Sequence, residues 1–283
     1  MGNQMFQYAM ALNIAKKLNT KVQVDLCSLL DRSKGDDFVY RNYDLDIFNL
    51  ETEFVSSPKL LQILSKLKSA SITRFFRTQT NKGRSYLKEE HFNFQPELID
   101  KAVDNSIYEG WFQSYRYFED IEPLIRKIFT FKQPIVPTSQ KLLSEIKATN
   151  AICLNVRRTD FLKTDNLNTT NLDYFIKGAK YIAGKVTAPT FFIFSDDVEW
   201  CRQNIRLNHP MTIIDHSHKG EKFGNYMQLM IACKHFIIPN SSFAWWAVWL
   251  NQYDSKIVVA PEKWFNDPSI DTSDLIPPDW ARL

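Results

Sequence analysis

The sequence predicts an α/β protein whose second half is a doubly wound parallel sheet, and three observations carry that reading. From residue 151 onward, five short apolar runs alternate with four helix-patterned segments, the mark of strands joined by helical crossovers. Polar clusters follow three of those runs, where the carboxyl edge of such a sheet holds its ligands. The chain has 283 residues, which argues for two domains, since domains commonly run about 100–200 residues.

The first half is less regular. Phe6, Ala9, Met10, Leu12 and Ala15 recur at helical spacing, so residues 5–18 read as a helix with Lys16 and Lys17 at its carboxyl end and Asn3 as N-cap. "KVQVDL" (21–26) alternates as a strand. A Gly-Asn turn entering a helix ordinarily follows a strand, so a strand preceding Met1 is expected and is missing from this sequence. Residues 27–56 read as loop. Residues 59–84 carry Lys59, Lys66, Lys68, Arg74, Arg77, Lys82 and Arg84 with no acid between them and with leucine, isoleucine and phenylalanine interleaved. That pattern suits a basic amphipathic helix on an anionic membrane surface, and equally a solvated helix face beside a core face. "SIYEGWF" (106–112) reads as a strand and "SYRYFEDIEPLIRKIF" as helix. Pro134 and Pro137 break the chain in "KQPIVPTS", which places the domain boundary between 1–135 and 136–283.

The second half alternates in order. Residues 151–156 are a strand, 171–185 a helix, 189–195 a strand and 197–205 a short helix. Then come a strand at 211–215, a helix at 224–235, a strand at 236–239, a helix at 242–253 and a strand at 256–260. Trp245, Trp246 and Trp249 sit at helical spacing and read as core.

Composition bounds the function. Hydrophobic residues at 44% and charged residues at 24% are ordinary for a globular chain. Aromatic residues at 14%, with seven tryptophans, suit sugar stacking as well as core packing. A net charge of +3 is too small to argue for a nucleic-acid partner. Cys27, Cys153, Cys201 and Cys233 form no CxxC pair or zinc spacing, so buried free thiols in a reducing cytosol are expected. No run approaches the roughly 20 apolar residues of a membrane span, and no basic–apolar–small signal pattern opens the chain.

The chemistry gathers in the three clusters. Arg157 and Arg158 open the first, "RRTD". A guanidinium fork matches phosphate oxygens bidentately; a single arginine would more simply bridge to Asp160 or to an inter-domain acid, whereas two beside helix-opening serines favour phosphate. "NSSF" (240–243) opens a helix, so its amides and hydroxyls form a ready anion site, and capping by Asn240 or Ser241 is compatible with that. Asp196 and Asp197 in "FSDD" could hold a divalent cation under a diphosphate, accept from a guanine edge, or cap the helix that follows. With arginines present a metal is unnecessary, and nucleobase recognition is preferred. The absence of GxGxxG and GxxxxGK[ST] disfavours dinucleotide dehydrogenases and P-loop enzymes.

"GNQMFQYA", "GWFQSYRYF", "NVRRTD", "FSDD" and "NSSFAWWAVWL", in this order over nearly the whole chain, resemble glycosyltransferase family 11, the α-1,2-fucosyltransferases. The resemblance implies a GT-B-like fold, with two Rossmann-like domains facing a central cleft. It implies GDP-β-L-fucose as donor, the 2-hydroxyl of a terminal β-galactoside as acceptor, inversion at the anomeric carbon and no obligatory metal or other cofactor. On that basis Arg157 clamps the departing β-phosphate, Arg158 supports its loop, and Asn240, Ser241, Ser242 and Phe243 hold the donor from the other side. Asp165 stands where related α-1,6-fucosyltransferases carry their presumed base, and Asp160 is the arginines' partner, since a neighbouring arginine weakens it as a base. Asn3 and Gln4 contact donor or acceptor, while Trp111 and Gln113 face the acceptor, with core packing the alternative for Trp111. Two departures stand out: Asn155 replaces the family's usual histidine, and the strand and glycine before "GNQ" are absent. Surface-polysaccharide synthesis at the inner face of a bacterial membrane is implied. A transferase for another donor such as rhamnose, a metal-dependent transferase, and an inactive sugar-binding homologue are the alternatives.

Overall fold

All strand pairs among the described residues are parallel, so the chain must cross back over a sheet between partners. The computed structural model describes residues 1–32, 40–65, 78 and 82–283. The chain divides into one unit of Met1 and Asn3–Thr130 and a second of Gly2 and Phe131–Leu283.

In the first unit α1 (Gly2–Leu18) buries Met5, Phe6, Ala9, Met10 and Ile14 on one stripe, and the left-handed Asn19 closes it by donating to Ala15 and Lys16. The helix starts earlier than its pattern predicts. Asn3 is therefore not the N-cap: it lies in the first turn, and its Oδ1 accepts from Gln113 Nε2 at 2.9 Å. Strand pairing is brief, β1 (Gln23–Val24) with β2 (Glu53–Phe54) and β3 (Ser85–Lys88) with β4 (Ser106–Glu109). The strand predicted over 21–26 stops early because Asp25 Oδ1 turns back to accept from Cys27 N. The continuous helix predicted after β4 is likewise broken into short 3-10 turns, the first capped by Ser114, and becomes α-helical only over Glu122–Ile128, with a proline in its first turn. Of the basic stretch 59–84, residues 66–77 and 79–81 lie outside the described residues, so Lys66, Lys68, Arg74 and Arg77 do as well.

The second unit holds a six-stranded sheet built from β5 (Asn150–Val156), β6 (Pro189–Ser195), β7 (Met211–Ile214), β8 (His235–Ile237), β9 (Val258–Ala260) and β10 (Ala281–Arg282), in the order β10-β9-β8-β5-β6-β7. Numbered within the unit, this is the 3-2-1-4-5-6 order of a Rossmann-type sheet. β5 is buried from Ala151 to Val156, and Phe191, Phe192, Ile193 and Phe194 of β6 are at most 2% exposed. Both faces are covered, so these strands read as continuous apolar runs. Each such side chain contributes roughly 1.5–3 kcal/mol on burial. The helix Leu172–Ala183, capped by Asn171 Oδ1 accepting from Tyr174 N, lays Tyr174, Phe175, Gly178, Ala179 and Ile182 against the sheet. The strand predicted at 236–239 ends at Ile237, since Pro239 cannot donate to a ladder. The helix Gln140–Ala148 and β10 were not predicted, the latter because two residues carry no period. Trp245 and Trp246 are fully buried, as are the four free cysteines. Among the described residues no helix is long and apolar enough to cross a membrane.

Gly178 fixes how closely its helix approaches β8, because a Cβ there would lie 2.9 Å from Ile237 Cγ2. Gly178→Val is expected to destabilise the chain by about 1–3 kcal/mol in urea melts through overpacking. An unchanged midpoint would contradict this packing.

Candidate functional site

In the second unit β5 pairs with β6 on one side and β8 on the other. The direction of winding reverses between β5 and β8, and ligands of such sheets bind at that point beyond the carboxyl ends. The loop after β5 carries Arg157, Arg158, Thr159 and Asp160. The loop after β8 carries Asn240 and Ser241 and opens the helix Ser242–Leu250.

One carboxylate organises the first loop. Asp196, one residue past β6, accepts from Arg158 N at 2.9 Å through Oδ1 and from Thr159 N at 3.2 Å through Oδ2. Thr159 Oγ1 also donates to Oδ2, and Arg157 Nη1 pairs with it at 3.2 Å. Arg157 Nη2 meets Asp160 at 2.6 Å, and its guanidinium lies 5.4 Å from the Phe161 ring centroid. Asp197 caps the next helix by accepting from Trp200 N and pairs with Arg158 Nε at 3.3 Å. The Arg158 guanidinium stacks 3.9 Å from the Trp200 centroid. Two guanidinium groups therefore meet three carboxylates, and Asp196 and Asp197 are committed to the loop itself. Arg157 keeps donor capacity beyond its two ion pairs, since a guanidinium has five N–H donors.

The second loop is held as firmly. Tyr174 donates its hydroxyl to Ile238 O at 2.5 Å, and burial pushes the Tyr174 pKa well above the usual phenol value. Ser241 Oγ caps the helix by accepting from Ala244 N. Asn240 Nδ2 donates to Leu167 O at 3.0 Å and Trp264 O at 2.9 Å, while its buried Oδ1 has no partner among the described residues. Phe243 follows Ser242 at the helix start, half-buried. Asp165 is exposed and heads a short 3-10 turn. Asn266 Nδ2, which sequence reasoning missed, anchors that turn by donating to Asp165 O at 2.6 Å. Asn155 is buried near the carboxyl end of β5 and donates to Phe194 O at 3.3 Å.

The first unit gathers its own candidates. Gln113 is buried, donates to Asn3, and leaves Oε1 without a partner among the described residues. Gln4 braces the backbone, donating to Asn42 O and accepting from Asp44 N. Trp111 is 53% exposed, which excludes core packing for it. Glu89 and Gln7, also unforeseen, hold the Trp111 turn: Glu89 accepts from Trp111 N and Phe112 N, and Gln7 Nε2 donates to Gly110 O at 2.8 Å.

Residues 1–283 match the family model described as glycosyl transferase family 11. The chain is 31% identical over its full length to an alpha-1,2-colitosyltransferase of Escherichia coli, covering 96% of that protein. It is 28% identical to the O-antigen biosynthesis glycosyltransferase WbnK of the same organism, over 94% of this chain and 92% of that one. Galactoside alpha-(1,2)-fucosyltransferase 1 of Sus scrofa is 23% identical over 48% of this chain and 40% of its own length. The crystal structure of fucosyltransferase NodZ from Bradyrhizobium superposes with a TM-score of 0.50 at 15% identity, over 87% of this chain and 88% of that one. That likeness shows the fold, α/β and GT-B-like.

Asp196→Asn removes one acceptor oxygen from a seat that receives two amides, a hydroxyl and a guanidinium. It is expected to cost about 2–3 kcal/mol in urea melts, hydrogen bonds to charged groups being worth roughly 1.5–3 kcal/mol each. Asp160→Asn, which loses one ion pair on the loop itself, is expected to cost less. Equal losses would contradict the anchoring role of Asp196.

Proposed function

This chain belongs to glycosyltransferase family 11, and from that premise we propose that it moves L-fucose from GDP-β-L-fucose to the 2-hydroxyl of a terminal β-galactoside, with inversion at the anomeric carbon. The observation that carries the reading is the pairing of two anion-directed elements at the reversal point of the sheet. One is the anchored arginine loop after β5, and the other is the start of the helix Ser242–Leu250 after β8.

In this reading the acceptor oxygen attacks C1 as the C1–O bond to the diphosphate breaks, and the electron pair leaves with GDP. Arg157 turns spare N–H donors toward the β-phosphate, where charge grows as the bond breaks. The helix amides behind Ser241, together with Ser242, meet the same diphosphate. Arg158, Asp196 and Asp197 act through the loop they hold, and the geometry favours that role over direct contact with the guanine. Asp165, exposed and tethered through its backbone, takes the acceptor proton. Trp111 and Gln113 serve the acceptor, and Asn3 supports Gln113. Cationic donors and helix amides already face the leaving group, so no metal is required. Synthesis of a surface polysaccharide is the process this activity fits.

A second reading keeps every role but changes the donor to a colitose nucleotide, and the 31% identical colitosyltransferase favours it. Colitose is L-fucose without its 3-hydroxyl. Purified protein incubated with lactose and each GDP-sugar, followed by linkage analysis, separates the two. 2-Fucosyllactose is expected, with a kcat/KM ratio that favours GDP-fucose, and a ratio that favours the colitose donor would overturn the first reading. Arg157→Lys keeps the charge but loses the planar fork, and kcat is expected to fall about 10²–10³-fold, as on losing a transition-state donor. A variant of normal rate would remove Arg157 from the chemistry. Activity is expected to persist in excess EDTA, and its abolition would reinstate a metal.

A further inference from the structure

The turn at 110–112 is built to hold its backbone still while displaying one indole. Glu89 receives Trp111 N at 2.6 Å on one oxygen and Phe112 N at 3.0 Å on the other. Gln7 holds the Gly110 carbonyl at 2.8 Å, and Ser114 N donates to the Phe112 carbonyl at 2.9 Å. Phe112 sits at φ 51° with its ring buried. A bulky residue in the left-handed region is strained, and such strain gathers at functional sites. Gly110 has no room for a side chain, since a Cβ would lie 2.5 Å from Glu89 Cβ. Burial raises the Glu89 pKa more than the two amides lower it. Between these fixed points Trp111 stands 53% exposed.

The device matches the one at the arginine loop. Asp196 lies one residue past β6 and clamps the amides two and three residues past β5, with Val156 opposite Ser195 at the strand ends. Glu89 lies one residue past β3 and clamps the amides two and three residues past β4, with Lys88 opposite Glu109. The first clamped amide belongs to Arg158 in the second unit, where the side chain folds back on Asp197 and Trp200, and to Trp111 in the first, where the side chain stays exposed.

We propose that the 110–112 turn is a carbohydrate-stacking platform, with Trp111 taking the apolar face of a pyranose of the acceptor and Glu89 its positioning residue. The inference deepens the acceptor side of the function proposed above and rests on it. An aromatic face meets the C–H face of a sugar, and a locked backbone removes the ordering cost that a mobile tryptophan would add on binding. Glu89 touches no reacting atom, so its effect falls on acceptor recognition.

Glu89→Gln, Trp111→Phe, Trp111→Ala and the double variant Glu89→Gln/Trp111→Ala test it, assayed with GDP-fucose and lactose. Trp111→Ala and Glu89→Gln are each expected to raise the acceptor KM about tenfold, with kcat and donor KM within about twofold of the parent. Trp111→Phe should recover most of the loss, and Glu89→Gln should add nothing once Trp111 is alanine. An unchanged acceptor KM in Trp111→Ala, or a full further loss in the double variant, overturns the proposal. If the parent protein fucosylates no galactoside, the proposed function fails first. The platform is then judged by calorimetry with lactose alone, where binding that survives Trp111→Ala unaltered sinks it.

Discussion

The seat of the Asp196 carboxylate is the contact on which the candidate site depends. Two successive amides, one hydroxyl and one guanidinium converge on it from a loop that starts on the neighbouring strand. Two like-charged arginines side by side would otherwise repel, and a loop of that composition has no apolar reason to adopt one shape. A carboxylate with a side chain 12% exposed makes its shape definite, because partly buried charge-assisted hydrogen bonds are stronger than exposed ones and costly to leave unmade. The same seat explains why phosphate recognition and internal ion pairing are compatible for Arg157. Its two ion pairs orient the fork without exhausting it.

Parallel sheets make this device available. Adjacent strands end side by side, so an acid just past one strand falls beside the first free amides past its neighbour. No ladder partner exists there, and an unpaired amide must find an acceptor. Asp196 and Glu89 occupy equivalent places in the two units. The second unit spends its device on a cation and the first on an indole. In both units the same clamp fixes the backbone at the carboxyl edge of a parallel strand pair, whatever side chain stands at the clamped position.

Legibility in the sequence followed burial. The strands at 151–156 and 189–195 are covered on both faces, and their apolar runs located them to within a residue. In the first unit, the two-residue strand Glu53–Phe54 shows no period above the noise of a loop, and the helix read after β4 was cut into turns by caps such as Ser114. Single residue types misled where geometry decides. Asn3 has the chemistry of an N-cap but serves as acceptor for Gln113. Asp197 does cap its helix, while Asp196 beside it anchors a loop that lies 38 residues away in sequence. Glu89 and Asn266 had no motif to mark them, and Gln7, though inside "GNQMFQYA", had no readable role, because each acts on backbone atoms of a distant segment. The signal that could have found Glu89 is an acid directly after a predicted strand in register with another.

The relation between a fucosyl and a colitosyl donor turns on one hydroxyl, and the physics of rejecting a hydroxyl is asymmetric. A pocket that hydrogen-bonds a substrate hydroxyl rejects the analogue lacking it by about 10⁴–10⁵, because its own polar groups are left unpaired. An apolar pocket rejects an added hydroxyl by only about 10². A site shaped for colitose would therefore still accept fucose at a measurable rate, whereas a site shaped for fucose would hardly use colitose. Slow fucosyl transfer alone fits either site. The ratio of the two donors' kcat/KM values decides, because only a polar group that reads the 3-hydroxyl makes that ratio large. Such a group has to offer an unspent donor or acceptor at the sugar.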